Sequence, residues 1–303
     1  MTPIITLNIL AASSSLSPIL QNPRWEGEVV ARFRTSLLLA GPQGRLMHLQ
    51  EGSVLVSPFA LQVAGPFARD LHGIPRIEGA PLYKEGNHLE IPGCLRLSWN
   101  TASYYQSPPM SRGHVDLEAL DRALQTFAIE GHRGGFRAIP IAQTAAAAIR
   151  DALRDREGNK LLTASQRILG LGPGLTPSGD DFLVGCLKGL WLLAGSDPRL
   201  YDVIDALQSG LEPFLFDRTT RVGAEFLRHA LHGQFAEILD RAAGALLGLA
   251  PPEASLSAVS QLIAQGETSG TDTALGLLTG LEATLSTQPE GAVTRVTECH
   301  PPQ

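Results

Sequence analysis

Four glycines, two prolines and a pair of adjacent acids crowd into GLGPGLTPSGDD, Gly170 to Asp181, just ahead of an apolar stretch. A loop of this composition at a helix start presents backbone N–H groups that favour phosphate or carboxylate oxygens. Gly172, Gly174 and Gly179 are the candidate donors. No GK[ST] follows, so this is not a Walker loop, and no GxGxxG stands after a strand. The same run also reads as a tight turn with a good cap. On a helix, Asp180 and Asp181 diverge by about 100 degrees. One of them is therefore free for a magnesium contact, for general base action, or for a hydrogen bond to an amide or amine. Asp180 is the magnesium candidate, and solvated first-turn acids are the alternative reading.

The loop has a counterpart. Offset by 91 residues, SGDDFLVGCLKGL from Ser178 aligns with SGTDTALGLLTGL from Ser269, sharing SGxDxxxGxLxGL. Ser178 or Ser269 can cap a helix while Asp181 or Asp272 complements its positive end, and Thr176 before Pro177 offers an earlier cap. Gly185 and Gly189, like Gly276 and Gly280, fall on one helical face and predict close packing, with the two helix starts as neighbours around one cleft. ETSGTDT adds the hydroxyls of Thr268 and Ser269 and the backbone of Gly270; alone it is an ordinary capped helix.

Other signals carry less. DRTTR, Asp217 to Arg221, could hold an anion through Thr219, Thr220 and two arginines, or simply open a solvated helix. Glu225, His229 and His232 share a face at helical spacing without an HExxH motif. GHRGG, Gly131 to Gly135, could form another anion loop but reads better as a turn. No Ser-His-Asp or Cys-His arrangement can be nominated.

The elements around these residues change character along the chain. From Val29 to about Trp99, VVARF, SLLLAG, RLMHLQ, SVLVSPFAL and HLEIPGCLRLSW are strand-like runs separated by Gly, Pro or Asn. SYYQSPPMSRGHVD lacks a hydrophobic period and marks a boundary near residue 110. Beyond it, helices are predicted over 116–128, 143–156, 179–193, 198–209, 219–231, 235–247, 256–264 and 270–285. The expectation is an α+β chain, with a β-rich domain over 1–110, a helical domain over 111–290 and a loose tail over 291–303.

Composition narrows the function. A chain of 303 residues with 44% hydrophobic content buries a substantial core. Cys94, Cys186 and Cys299 lie far apart without ligand spacing, which points to a reducing, cytoplasmic home. The N-terminus has no basic region ahead of its apolar run, and Lys188 interrupts the longest apolar stretch, so neither a signal nor a membrane span is expected. A net charge of -6 with scattered arginines argues against nucleic acid.

At GPGLTPSGDD (172–181), TTRVGAEFLRHALHGQFA (219–236) and GETSGTDTALG (266–276), the sequence resembles a bacterial domain-of-unknown-function family that includes the third subunit of oxamate carbamoyltransferase. The likeness is nearly full length, loosest in the first third. Glu267 stands where the family's GHTSG has histidine, which bears on any histidine-dependent step and on the substrate. The resemblance implies a subunit acting with acyl-CoA-synthetase-like partners in the use of purine-derived nitrogen. The reaction it implies is carbamoyl transfer between phosphate and an oxamate-type amide, so carbamoyl phosphate, oxamate and phosphate become the expected small anions. On that reading Gly172 to Gly174 and Gly179 bind phosphate, and Ser178 and Ser269 hold oxygens. Asp181 and Asp272 orient the carbamoyl nitrogen or accept a proton. The alternative is a non-catalytic anion-binding or scaffolding subunit; a stand-alone hydrolase or kinase lacks a visible nucleophile or nucleotide loop.

Overall fold

The computed structural model describes residues 4–52, 55–64, 67, 77–99, 103–108, 115–130, 135–247 and 252–285. Its N-terminal strands are β1 (Ile5–Ser13), β2 (Arg24–Arg32), β3 (Ser36–Ala40), β4 (Leu46–Glu51), β5 (Ala60–Val63), β6 (Pro81–Glu85), β7 (His88–Ile91), β8 (Leu95–Ser98) and β9 (Ser103–Tyr105), with a short helix α1 (Ser17–Gln21) after β1. Eight strands close in the order β5-β4-β3-β2-β6-β7-β8-β1, because β1 pairs back onto β5. β9 extends the sheet beside β1. Closure leaves no free edge among these eight strands. Alternation drives the inward face of the later strands, where Leu82, Leu89, Ile91, Leu95 and Leu97 are buried.

The helices follow as α2 (Leu117–Glu130), α3 (Pro140–Asp155), α4 (Gly158–Ile168), α5 (Ser178–Ala194), α6 (Arg199–Leu211), α7 (Leu215–Arg218), α8 (Arg221–Leu231), α9 (Glu237–Leu246), α10 (Pro252–Ile263) and α11 (Ser269–Leu285). The α+β class, a β-rich first part followed by helices, is what the sequence patterning predicts. Strands β1, β6 and β9 and helix α4 were not expected, and the strand expected over 53–61 is confined to Ala60–Val63 within its described part, with residues 53 and 54 outside it. The boundary near residue 110 and the tail over 291–303 also lie outside the described residues.

Two apolar cores form, one inside the barrel and one among the helices, and Phe226 packs against both. Polar knots tie the parts together. The Glu225 carboxylate, fully buried, accepts the Leu46 N–H at 2.7 Å and pairs with Arg228. Val56 donates its N–H to Glu237 at 3.1 Å while its carbonyl receives the Glu237 N–H.

Helices α5 and α11 lie side by side with their N-termini together. A Cβ on Gly185 would stand 2.0 Å from the Thr273 carbonyl oxygen, and one on Gly276 would stand 2.0 Å from the Phe182 carbonyl oxygen. Phe182 and Thr273 are themselves equivalent in the repeat, so the crossing has local two-fold symmetry. The repeat reaches further back than its sequence motif. Leu171 N–H bonds Ile168 and Gly179 N–H bonds Leu171, as Gln265 bonds Leu262 and Gly270 bonds Gln265. Thus α4, its loop and α5 match α10, its loop and α11.

Because backbone meets backbone at this crossing, Gly185→Ala or Gly276→Ala should destabilise by about 3 kcal/mol through overpacking. Gly244→Ala, in α9 with nothing within 4 Å of its added methyl, should stabilise by about 0.5–1 kcal/mol. Denaturant melts of the three variants check both signs.

Candidate functional site

Pro177, with φ −55° and ψ 142°, occupies the N-cap position of α5, and its side chain supplies no cap bond. Ser178 is consequently the first helical residue, which corrects the expectation that it caps the helix. Its hydroxyl instead crosses to Asp272 of α11. The Ser269 hydroxyl crosses the other way to Asp181, and also bonds the Thr176 hydroxyl at 2.7 Å. Each serine thus serves the carboxyl of the opposite repeat.

The two carboxyls then part company. Asp272 is fully buried under the turn at 135–138, receiving the Gly135 N–H at 3.2 Å and the Phe136 N–H at 3.0 Å. Phe136 stacks on Phe182 at 4.2 Å and closes that side. Of the GHRGG run only Gly135 is described; a Cβ there would stand 2.5 Å from the Ser178 hydroxyl. Asp181 faces the other way, into a cavity of about 520 Å³ between the helices and the barrel, and its Oδ2 has no partner. The expectation of two carboxylates around one cleft therefore fails: one lines the cavity, the other is covered.

The remaining predicted residues divide similarly. Thr176, Ser269 and Gly270 line the cavity with Asp181. Asp180 points elsewhere, accepting the Gly170 N–H at 2.7 Å and the Thr219 hydroxyl. Thr220 caps α8 through the Gly223 N–H and donates to the Leu175 carbonyl. Thr219 and Thr220 thereby fasten the glycine-rich loop to α8. Gly172 and Gly174 hold φ of 118° and 94° in that loop. The N–H groups of Gly179 and Gly270 close their own loops, so neither is an open anion donor. The Thr268 carbonyl accepts the Asp272 N–H, and Glu267 is exposed in the preceding turn.

Five polar cavity groups escaped the sequence reading: His48 and Gln50 on β4, Ser57 just before β5, Gln234 after α8 and Gln265 after α10. A signal existed in RLMHLQ, where His48 and Gln50 alternate onto one face of an otherwise apolar strand. The Glu225, His229 and His232 row is structural. His229 stacks on Phe59, accepts from Arg228 at Nε2 and pairs with Gln234 at Nδ1. His232 pairs with Glu212. Among the described residues no three His, Cys, Asp or Glu side chains gather as a metal cluster.

Burial sets the electrostatics. It pushes the Asp181 carboxyl well above its ordinary range, the Asp272 and Asp180 charges add to this, and the Ser269 and Thr176 hydroxyls oppose it. Asp272 and Asp180 are raised for the same first reason, offset by their N–H and hydroxyl donors. Burial pulls His48 down to about 4, so its imidazole is neutral at pH 7. A carboxyl held toward its protonated form beside two hydroxyls can donate to a carbonyl, or pass a proton to a leaving nitrogen.

Residues 168–281 match the family model described as oxamate carbamoyltransferase subunit AllH. The helical region carrying both motifs is thus similar to the AllH family. The match opens at the end of α4 and closes within α11, so it holds the glycine-rich loop, both crossed serine and aspartate pairs and the helices between them. The barrel lies outside it. No solved structure matches the chain. Among the described residues no helix is long and apolar enough to cross a membrane.

The equivalent aspartates should respond oppositely to amidation. In Asp181→Asn the neighbouring hydroxyls can turn to accept from the new NH₂, and the cost of a buried charge disappears. The raised carboxyl of the wild type gives its full stability below the unfolded pKa of about 3.9 and loses it as pH rises through the folded value. The variant should therefore match wild type at low pH and exceed it by on the order of 2–4 °C in Tm at neutral pH. Asp272→Asn sets an NH₂ against the fixed N–H of Gly135 or Phe136 and should cost about 1–3 kcal/mol. Thermal melts across pH 4 to 8 separate the two.

Proposed function

We propose that this chain is a carbamoyltransferase subunit whose reacting group is Asp181, acting on the carbamoyl end of an oxamate-type amide in the cavity between barrel and helices. The observation that carries this reading is the unpartnered Oδ2 of a carboxyl that is 8% exposed and lines a cavity of about 520 Å³. A buried carboxyl with one oxygen unmet is costly to maintain, and that oxygen serves no bond within the chain. The AllH match supplies the reaction class.

In the direction that makes carbamoyl phosphate, a phosphate oxygen attacks the ureido carbon. The bond from that carbon to the oxamate nitrogen breaks, and the departing nitrogen takes the proton of Asp181. In the other direction the Asp181 carboxylate accepts a proton from the amide nitrogen as it attacks. Ser269 and Thr176 hold the Asp181 carboxyl in place. Phosphate would meet the loop at Gly172 to Gly174 or arrive with the acyl-CoA-synthetase-like partner. Asp180, the magnesium candidate, bonds Gly170 and Thr219 and does not line the cavity, so no step of this scheme is assigned to it.

One observation favours a non-catalytic subunit: Asp180, Asp272, Thr219, Thr220, Gly179 and Gly270 all satisfy one another or nearby backbone, as a structural core would. Activity decides between the readings. With partner subunits present, Asp181→Asn should lower carbamoyl transfer by about 100-fold or more, the usual scale for a lost proton donor, while the complex still assembles. Full activity in that assembled complex would turn the assignment to scaffolding.

A further inference from the structure

We propose that Ser57 of the barrel wall is a second catalytic residue of this site: its hydroxyl donates to the carbonyl oxygen of the carbamoyl group and holds the oxyanion that forms there when a phosphate oxygen adds to the ureido carbon. This deepens the proposed function and rests on it for the reaction. It also places in the barrel a group that the match over residues 168–281 does not contain.

The chain is fastened on both sides of Ser57 without help from its hydroxyl. Val56 exchanges bonds with Glu237, the Pro58 carbonyl accepts the hydroxyls of Ser13 at 2.7 Å and Ser15 at 2.6 Å, and the Ser57 carbonyl accepts the Ala60 N–H at 3.1 Å. Yet Ser57 is only 9% exposed, lines the same cavity as Asp181 and leaves its Oγ without a partner. A buried hydroxyl in that state is costly until a ligand completes it. What completes it follows from the opposite wall. The Asp181 carboxyl serves the nitrogen side of the carbamoyl group, so the carbonyl oxygen needs a donor from elsewhere, and a serine hydroxyl is one. Gln234 adds a second: Arg228 occupies His229 Nε2, so Nδ1 carries the proton and bonds the Gln234 Oε1 at 2.7 Å, leaving the NH₂ as the donor end. No base bonds Ser57, so it lacks the activation that a nucleophilic serine requires.

The step balances. Attack by the phosphate oxygen moves the carbonyl π electrons onto oxygen, where the donors meet the new charge. Their return re-forms the C=O bond and expels the oxamate nitrogen, which takes the Asp181 proton, and the proton shed by hydrogen phosphate restores Asp181.

Kinetics and binding test this with Ser57→Ala. In the complex with partner subunits, the variant should lower kcat for carbamoyl transfer about 100-fold, the scale for one lost oxyanion donor. In the full chain alone, calorimetry with butylurea as the probe should show a smaller loss of about tenfold in affinity, because the ground-state carbonyl carries less charge than the oxyanion. The unliganded Tm should not fall, since the hydroxyl removed has no partner. The inference is overturned if the variant keeps the wild-type kcat, if wild type does not bind butylurea or the variant binds it equally well, or if lost activity comes with a lowered Tm, the mark of a structural serine. Loss of transfer in Ser57→Ala with Asp181→Asn fully active would sink the role of Asp181 alone, and the reverse pattern would sink this inference alone. A wild-type complex without carbamoyl transfer would overturn both.

Discussion

The backbone contact of α5 with α11 sets the terms for the rest of the structure. Two parallel helices brought together at Gly185 and Gly276 place two positive ends side by side, an arrangement that attracts negative groups. Each helix contributes an aspartate in its first turn, Asp181 and Asp272, but burial makes two full charges there expensive. The crossed serines relieve part of that cost, since each hydroxyl bonds the opposite carboxyl. Within SGxD the glycine admits the carbonyl of the preceding helix, Ile168 or Leu262, the acid faces the dipoles and the hydroxyl serves the acid across the seam.

Function begins where the symmetry ends. The loop from Leu171 to Gly179 is three residues longer than that from Gln265 to Gly270, and it carries Thr176 to a point where it meets Ser269. On the opposite side the turn at 135–138 lies directly on Ser178 and Asp272 and excludes solvent. A duplicated unit with identical surroundings would give two structural carboxyls. Covering one and leaving a cavity over the other gives one carboxyl bonded to backbone N–H groups and one that keeps an unpartnered oxygen on a cavity, built from the same sequence pattern.

The parts legible in sequence are those fixed by local pattern. The self-match at 91 residues, the glycines four apart and the apolar helical period predict the crossing and the α+β order correctly. Helix α4 was missed although Leu161, Ala164, Ser165 and Ile168 fall at helical spacing on its buried face, only two of them being large and apolar. The capping assignment for Ser178 failed for a different reason. A serine at a helix start satisfies either a backbone N–H or a neighbouring carboxyl, and the choice belongs to a helix 91 residues away. Neither His48 nor Ser57 could be assigned to Asp181 from spacing, because only closure of the barrel and its seating on α8 and α9 bring them to one cavity.

That seating explains why the barrel matters although the family match stops short of it. Glu225 receives the Leu46 N–H, two residues before His48, and Glu237 is clasped by Val56, one residue before Ser57. Both anchors are backbone bonds to helical glutamates, so they fix the height of β4 and of the segment before β5 over Asp181 whatever side chains those strands carry. The side chains facing the cavity are then free to change without loosening the joint. In this arrangement the α5–α11 crossing places the Asp181 carboxyl, and the barrel decides through β4 and Ser57 what stands over it.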